Sequence, residues 1–216
     1  VCSSDLGYGE YILAVTSSHF GSAEKEFRFP LSYANQRPLS AHWTVTGSGA
    51  FLVGKKESHV RISGLTVGKI VDYGLKDSQN MGACMAPAAC NTIWQNLQDF
   101  GRTPEDYSRI ITGDLGYVGQ SILFDLLLEK GYDIRGKHLD CGMTIFDQQT
   151  QDTHAGGSGC GCAATVLSAY ILPKIERGEW ERVLFVPTGA LMSTVSYNEG
   201  ASVPGIAHAI VLEHEA

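Results

Sequence analysis

The chain has 216 residues, 44% of them hydrophobic, which suffices for one large core or two small ones. Lys and Arg number 16 against 23 Asp and Glu, a net charge of -7 with no basic block, which argues against binding a nucleic-acid backbone. No apolar run reaches the roughly 18 residues that a membrane-spanning helix needs.

Val1 to Leu6 resembles translated adapter sequence, and no initiator Met or signal-peptide pattern precedes Tyr11, so residues 1–6 are set aside. Tyr11 to Thr16 (YILAVT) is short, apolar and β-rich, which predicts a buried strand. A polar stretch from Ser17 to His42, with Pro30 and Pro38, predicts an excursion or a helix-containing loop. Gly47 to Val53 and His59 to Val67 are the next predicted strands. Met81 to Phe100 predicts a helix with Pro87 near its first turn, an apolar face of Ala89, Ile93, Trp94, Leu97 and Phe100, and Gly101 as its stop. Thr103-Pro104-Glu105-Asp106 has the pattern of a cap, a first-turn proline and two acids. A strand at Arg109 to Thr112 ends at Gly113-Asp114-Leu115-Gly116, and Ser121 to Lys130 predicts a helix. Cys162 to Glu176 is a further helix, which Pro173 should kink. Val183 to Val186 and Ala207 to Leu212 are the last strands. This alternation predicts an α/β architecture. A weak repeat accompanies it: Ile12–Thr16 with Gly49–Val53 resembles Val183–Val186 with His208–Leu212, each a buried strand, a polar loop and a second strand.

The segment from His154 to Cys162 (HAGGSGCGC) carries glycines at 156, 157, 159 and 161 ahead of a helix. Free N–H groups there would suit an anion, while tight packing of two helices at a domain centre would need the same glycines. The spacing is neither a dinucleotide fingerprint nor a P-loop. Cys160 and Cys162 invite a metal reading, with His154 or Cys141 as further ligands, or a nucleophile reading with His138, His154 or His19 as base. Residues two apart on a helix point to different sides, which favours thiols that simply pack. The six cysteines make no disulfide framework for a chain this long, so reduced thiols are expected. Asp114 at a strand end faces either a ligand or its own turn; Lys137 to Gly142 has the same ambiguity. Thr16 to His19 follows the first strand toward a cleft. In Ala23 to Pro30, Arg28 could fork onto a carboxylate with Phe27 or Phe29 flanking a ring, or the segment could be a surface helix.

The segments TSSHFGSAEKEFRFP, QRP, TVTGSGA, MGACMAPAA, ITGDLGYVG, HAGGSGCGC, VPTGALMS and IAHAIVLE, in this order, resemble the stage V sporulation protein AD family. The resemblance covers nearly the whole chain after residue 6. It implies a thiolase-like α/β fold, a five-layer αβαβα sandwich of two similar halves with the first half incomplete. Residues 7–56 would end the first half, 57–80 connect, and 81–216 form the second half. The nucleophilic cysteine of condensing relatives would lie upstream. Their second-half His and Asn positions would fall on Gly113-Asp114-Leu115 and Gly156-Gly157-Ser158-Gly159, where an Asp cannot donate to a developing oxyanion. The implied role is binding of dipicolinic acid (pyridine-2,6-dicarboxylate) for a spore transport complex, without catalytic residues. The expected contacts are His19, Arg28, Asp114, His154, Gly156, Gly157, Ser158, Gly159 and Cys160. No cofactor or protein-bound metal is expected, although calcium could accompany the ligand. Integral-membrane partners, a homodimer by analogy, and a cytoplasmic location peripheral to the forespore or spore inner membrane complete the expectation. The alternative is an active thiolase-like acyltransferase using an upstream cysteine.

Overall fold

A computed structural model describes residues 9–23, 37–55 and 58–215. The elements in chain order are β1 (Tyr11–Ser18), α1 (Phe20–Ala23), β2 (Trp43–Thr44), β3 (Gly47–Gly54), β4 (Val60–Thr66), α2 (Met81–Asp99), a 3-10 turn (Pro104–Asp106), β5 (Arg109–Thr112) and α3 (Gly116–Glu129). They continue with β6 (His138–Asp140), α4 (Cys141–Thr144), β7 (Gly157–Ser158), α5 (Cys160–Val166), a π-helical segment (Leu167–Ile171) and α6 (Leu172–Glu176). The chain ends through β8 (Arg182–Val186), β9 (Thr188–Ala190), α7 (Thr194–Asn198), β10 (Gly205–Ala207) and β11 (Ala209–His214).

Five strands form one sheet in the order β4-β11-β8-β5-β6. β5 runs parallel to β6 and β8, and β11 runs antiparallel to β8 and β4. Side chains alternate across this sheet with the period of two that a strand imposes. Ile110, Leu184 and Val186 face a core shared with α2 and α3. Ile111, Val183 and Phe185 face a second core built on Cys162, Val166, Ile171 and Ile175. The helical run from Cys160 to Glu176 therefore has the sheet on one side. On its other side lie β1 and β3, an antiparallel pair in register from Tyr11↔Gly54 to Ser18↔Gly47. The resulting stack is β, α, β, α.

The faint repeat in the sequence has a structural counterpart. β1 with β3 and β8 with β11 are each an antiparallel pair joined by a long excursion. In the second pair, β5 flanks β8 and β4 flanks β11. Among the described residues no strand flanks β1 or β3 in that way, and their outer face leaves Leu13, Val15 and Leu52 more than 60% exposed. Among the described residues the first half is thus the less complete one.

Several expectations shift. β4, expected at His59 to Val67, spans Val60–Thr66 and is an edge strand of the five-stranded sheet. Pro87 lies in the interior of α2, where its missing N–H removes one ladder bond, and not in the first turn. α3 starts at Gly116, five residues before Ser121, because Gly116 takes φ 63° and turns the chain straight from β5 into helix. Pro173, expected to kink its helix, follows a π segment at Leu167–Ile171, whose wider register absorbs a missing donor. The last predicted strand divides at His208 into β10 and β11.

Candidate functional site

The parallel strands β5, β6 and β8 end together, and open α/β sheets gather ligands at such carboxyl ends. The turn after β5 presents Asp114, whose Oδ1 accepts from the Thr188 hydroxyl at 2.9 Å beyond the end of β8. Its Oδ2 accepts from the Gly159 N–H at 3.2 Å. One carboxylate thus joins two strand ends to the glycine-rich turn. Gly159 has φ 111°, a conformation that L side chains rarely adopt.

The glycine turn enters α5 against β1 and β3. Ser18 Oγ donates to the Val45 carbonyl at 2.7 Å and accepts from the Gly161 N–H at 2.9 Å, so a β1 hydroxyl satisfies one of the open donors at the helix start. Thr16 Oγ1 donates to the Cys160 carbonyl at 2.9 Å. A Cβ on Gly161 would lie 2.3 Å from the Gly47 carbonyl oxygen, which leaves no room for any other residue. Upstream, the Trp43 N–H donates to Gly156 O and the Val45 N–H to Ser158 O, at 2.8 and 2.9 Å, extending the short parallel pairing of β2 with β7.

The structure brings Asp114 and Gly159 into contact, with buried Ser158 beside them and Cys160 exposed at the head of α5. Most of the glycine segment's polar groups bond within the protein. Gly156 N–H donates to Thr153 O, Gly157 pairs with Trp43, and the Gly159 and Gly161 N–H groups are held as described. Close backbone packing therefore accounts for Gly161. His19 turns onto its own helix, where Nδ1 accepts from the Ser22 N–H at 3.3 Å. His154, at φ 51°, points Nδ1 to Pro38 O at 2.8 Å and places Nε2 3.2 Å from Asp152, away from Asp114. Arg28, Phe27 and Phe29 lie outside the described residues.

Sequence reasoning sought a guanidinium beside aromatic rings at Arg28. Arg37 shows that arrangement: its Cζ lies 3.8 Å from the Trp43 ring centroid, and Trp43 stacks on Phe20 at 4.8 Å. Its Nη2 donates to Asp152 O at 3.1 Å. The QRP segment was the only sequence signal for it. Thr188 and His42 were also missed, and Ser18 was named only within the Thr16 to His19 segment expected to face a cleft. His42 is fully buried, and its Nε2–H donates to Leu115 O at 3.2 Å.

His138 uses both ring nitrogens on Gln120 and Thr112, so neither is left to activate Cys160. Burial raises the Cys162 and Cys141 thiols well above the usual range and Cys90 to about 11, so all three stay protonated at neutral pH. Among the described residues no group of three His, Cys, Asp or Glu side chains is placed to hold a metal. Two surface cavities of about 360 and 380 Å³ border neither Asp114 nor the glycine turn.

A five-stranded mixed sheet, a paired half-sheet and a central helix between them, with a glycine turn at the strand ends, define a thiolase-fold protein. Solved structures agree on the fold. The 3-oxoacyl-[acyl-carrier-protein] synthase III of Aquifex aeolicus VF5 matches 99% of this chain and 61% of its own, at TM-score 0.55 and 14% identity. The tetronic acid condensing enzyme AbyA1 matches 96% of this chain and 62% of its own, at TM-score 0.57 and 12% identity. Within that class the sequence is specific. The family model for stage V sporulation protein AD (SpoVAD) matches residues 2–213. The stage V sporulation protein AD of Bacillus subtilis (strain 168) is 44% identical over 209 residues, which cover 97% of this chain and 62% of that relative. The chain belongs to the stage V sporulation protein AD family and spans less than two thirds of that relative's length. No helix among the described residues is long and apolar enough to cross a membrane.

Proposed function

We propose that this chain is part of a dipicolinic acid binding protein of a spore transport complex, a thiolase-fold relative that binds and does not condense. The observation that carries the reading is Asp114. The resemblance to condensing enzymes puts a donor imidazole at this strand end. Here the position holds a carboxylate fixed by Gly159 and Thr188. Its oxygens already accept two bonds, and its charge would repel a developing oxyanion. Family membership supports the sporulation role. A flat aromatic dianion needs a planar cation and an aromatic wall, and the Arg37–Trp43–Phe20 stack near the glycine turn offers both. His19, Asp114, His154, Gly156, Gly157, Ser158, Gly159 and Cys160 remain the proposed surroundings of the ligand, with Arg28. Integral-membrane partners at the forespore or spore inner membrane, a cytoplasmic face, and a homodimer belong to the same proposal.

The test is calorimetric titration of dipicolinic acid into the whole protein, with and without calcium, and of acetyl-CoA in parallel. Saturable dipicolinate binding, weakened about tenfold by Arg37→Ala and accompanied by no acetyl-CoA binding, is expected; a tenfold change is about 1.4 kcal/mol. Acetyl-CoA binding with release of free CoA would overturn the reading and favour an active acyltransferase.

A further inference from the structure

A run of hydrogen bonds leads from a half-buried glutamine to a fully buried carboxylate. Gln120 Nε2 lies 2.9 Å from His138 Nδ1, and His138 Nε2 lies 3.0 Å from Thr112 Oγ1. Thr112 Oγ1 lies 2.6 Å from Asp140 Oδ2. Asp140 is 1% exposed and also accepts from the N–H groups of Leu115, Gly116 and Met143 at 2.9, 3.2 and 3.2 Å. Leu115 and Gly116 close the turn that presents Asp114 and open α3. The Asp140 carboxylate is therefore what shapes that turn from beneath.

Three of its donors are backbone N–H groups, which can only donate. With Asp140 ionised, the Thr112 hydroxyl donates to Oδ2. Thr112 Oγ1 must then accept from His138 Nε2–H, and His138 Nδ1 accepts from the Gln120 amide. With Asp140 protonated, every bond in the run reverses. The carboxyl O–H donates to Thr112, Thr112 donates to His138 Nε2, and Nδ1–H donates to the Gln120 amide oxygen once that amide turns over. The two arrangements differ by one proton, and the imidazole is neutral in both. Burial supports this, since it holds the imidazolium down to about pH 4.

We propose that Gln120, His138 and Thr112 form a proton relay that delivers the proton titrating Asp140, and that Asp140 is the positioning residue of the Asp114 turn. A proton from hydronium forms a bond at His138 Nδ1. The Nε2–H bond breaks as its proton passes to Thr112 Oγ1, and the hydroxyl proton of Thr112 passes to Asp140 Oδ2. Charge-assisted bonds are roughly twice as strong as neutral ones, so a neutral Asp140 loosens its hold on Leu115, Gly116 and Met143. The other titratable groups around Asp140 are Cys141 beside it, Cys162 from α5, Asp114 from the turn and Tyr117 from α3. His42, from the segment before β2, bonds the same turn at Leu115 O. None of these supplies a fixed cation, so the donors set the carboxylate's charge. Any consequence for a ligand rests on the binding role proposed above, whereas the relay does not.

The experiment is an acid titration by nuclear magnetic resonance of the whole protein, with ¹⁵N-histidine, ¹³C-aspartate and backbone ¹⁵N labels. Three signals should share one midpoint: the Asp140 carboxyl, the change of His138 from the Nε2–H to the Nδ1–H tautomer, and the Gly116 amide. Thr112→Val should raise the Asp140 midpoint by about one pH unit, tenfold in the protonation equilibrium, and leave the His138 tautomer behind. Thr112→Ser should restore both. Gln120→Met, at a half-buried site, should uncouple His138 and gives a second test if the valine variant does not fold. A His138 tautomer that stays fixed while Asp140 titrates overturns the relay, and a Gly116 amide that ignores Asp140 overturns the positioning role. No ligand enters the measurement, so either failure is distinct from a failure of dipicolinate binding.

Discussion

Ser18→Ala removes one oxygen and tests how the two halves are joined. Ser18 Oγ bonds the Val45 carbonyl at 2.7 Å and the Gly161 N–H at 2.9 Å. Each lost bond costs about 1 kcal/mol net, and a buried group left without a partner costs about 1–3 kcal/mol. Both partners sit where α5 meets β3, in a partly buried contact that water reaches poorly, so a loss of about 2–3 kcal/mol is expected. Urea unfolding of the whole protein measures it as a lower midpoint with an unchanged slope. Ser17→Ala is the control, because Ser17 is exposed on the opposite face of β1 and should stay within about 0.5 kcal/mol of wild type. Equal midpoints for Ser18→Ala and Ser17→Ala would refute the reasoning, because the hydroxyl would then contribute nothing to holding the helix start.

Gly161→Ala should cost about 2 kcal/mol or more, since its Cβ would meet the Gly47 carbonyl at 2.3 Å and the Ser18 nitrogen at 2.8 Å, and a thermal melt reads the loss. His138 should make the protein acid-labile. Its pKa is lowered by burial from 6.5 to about 4, so the unfolded chain takes up the proton first and stability falls as pH drops through that window. The loss is about 3 kcal/mol at 1.36 kcal/mol per unit. Denaturant curves at pH 7 and pH 4 should show that difference between wild type and His138→Gln, and the same curves on Thr112→Val separate the opposite contribution of Asp140, whose pKa burial raises. Brief alkylation of the native protein should label Cys160, which is exposed, and spare buried Cys84, Cys90, Cys141 and Cys162, as peptide mass mapping would show.

The regular elements were legible because their signals are local. Short apolar, β-rich runs in Tyr11–Thr16 and in Val183–Val186, and helical spacing in Ala89, Ile93 and Leu97, depend on neighbours only a few residues apart. The joined strand ends were half legible. Asp114 and Gly159 stood out as a strand-end acid and a glycine, but their partners did not. Thr188 reaches Asp114 across 74 residues and Ser18 reaches Gly161 across 143. Single Ser and Thr residues carry no periodic mark, so nothing local announces such bonds. Asp140 lay inside the Lys137–Gly142 segment, which read equally as ligand-facing or as a turn, and its side chain caps α4 through Met143. Its bonds to Thr112, Leu115 and Gly116 join β5, β6 and α3, and only the folded chain makes them neighbours. Pro173 was expected to kink its helix, and the π register shows that one lost donor can be absorbed by a wider turn.

The contact of β1 with α5 also has a consequence in time. Thr16 and Ser18 meet residues 144 and 143 positions further along the chain. A ribosome adding about 5–20 residues per second needs about 7–30 s to supply that partner. During that interval the inner face of the β1–β3 pair has no helix to cover it. Cellular chaperones would therefore meet this strand pair early, and a pause in synthesis before Cys160 would lower the yield of native protein more than a pause after Glu176.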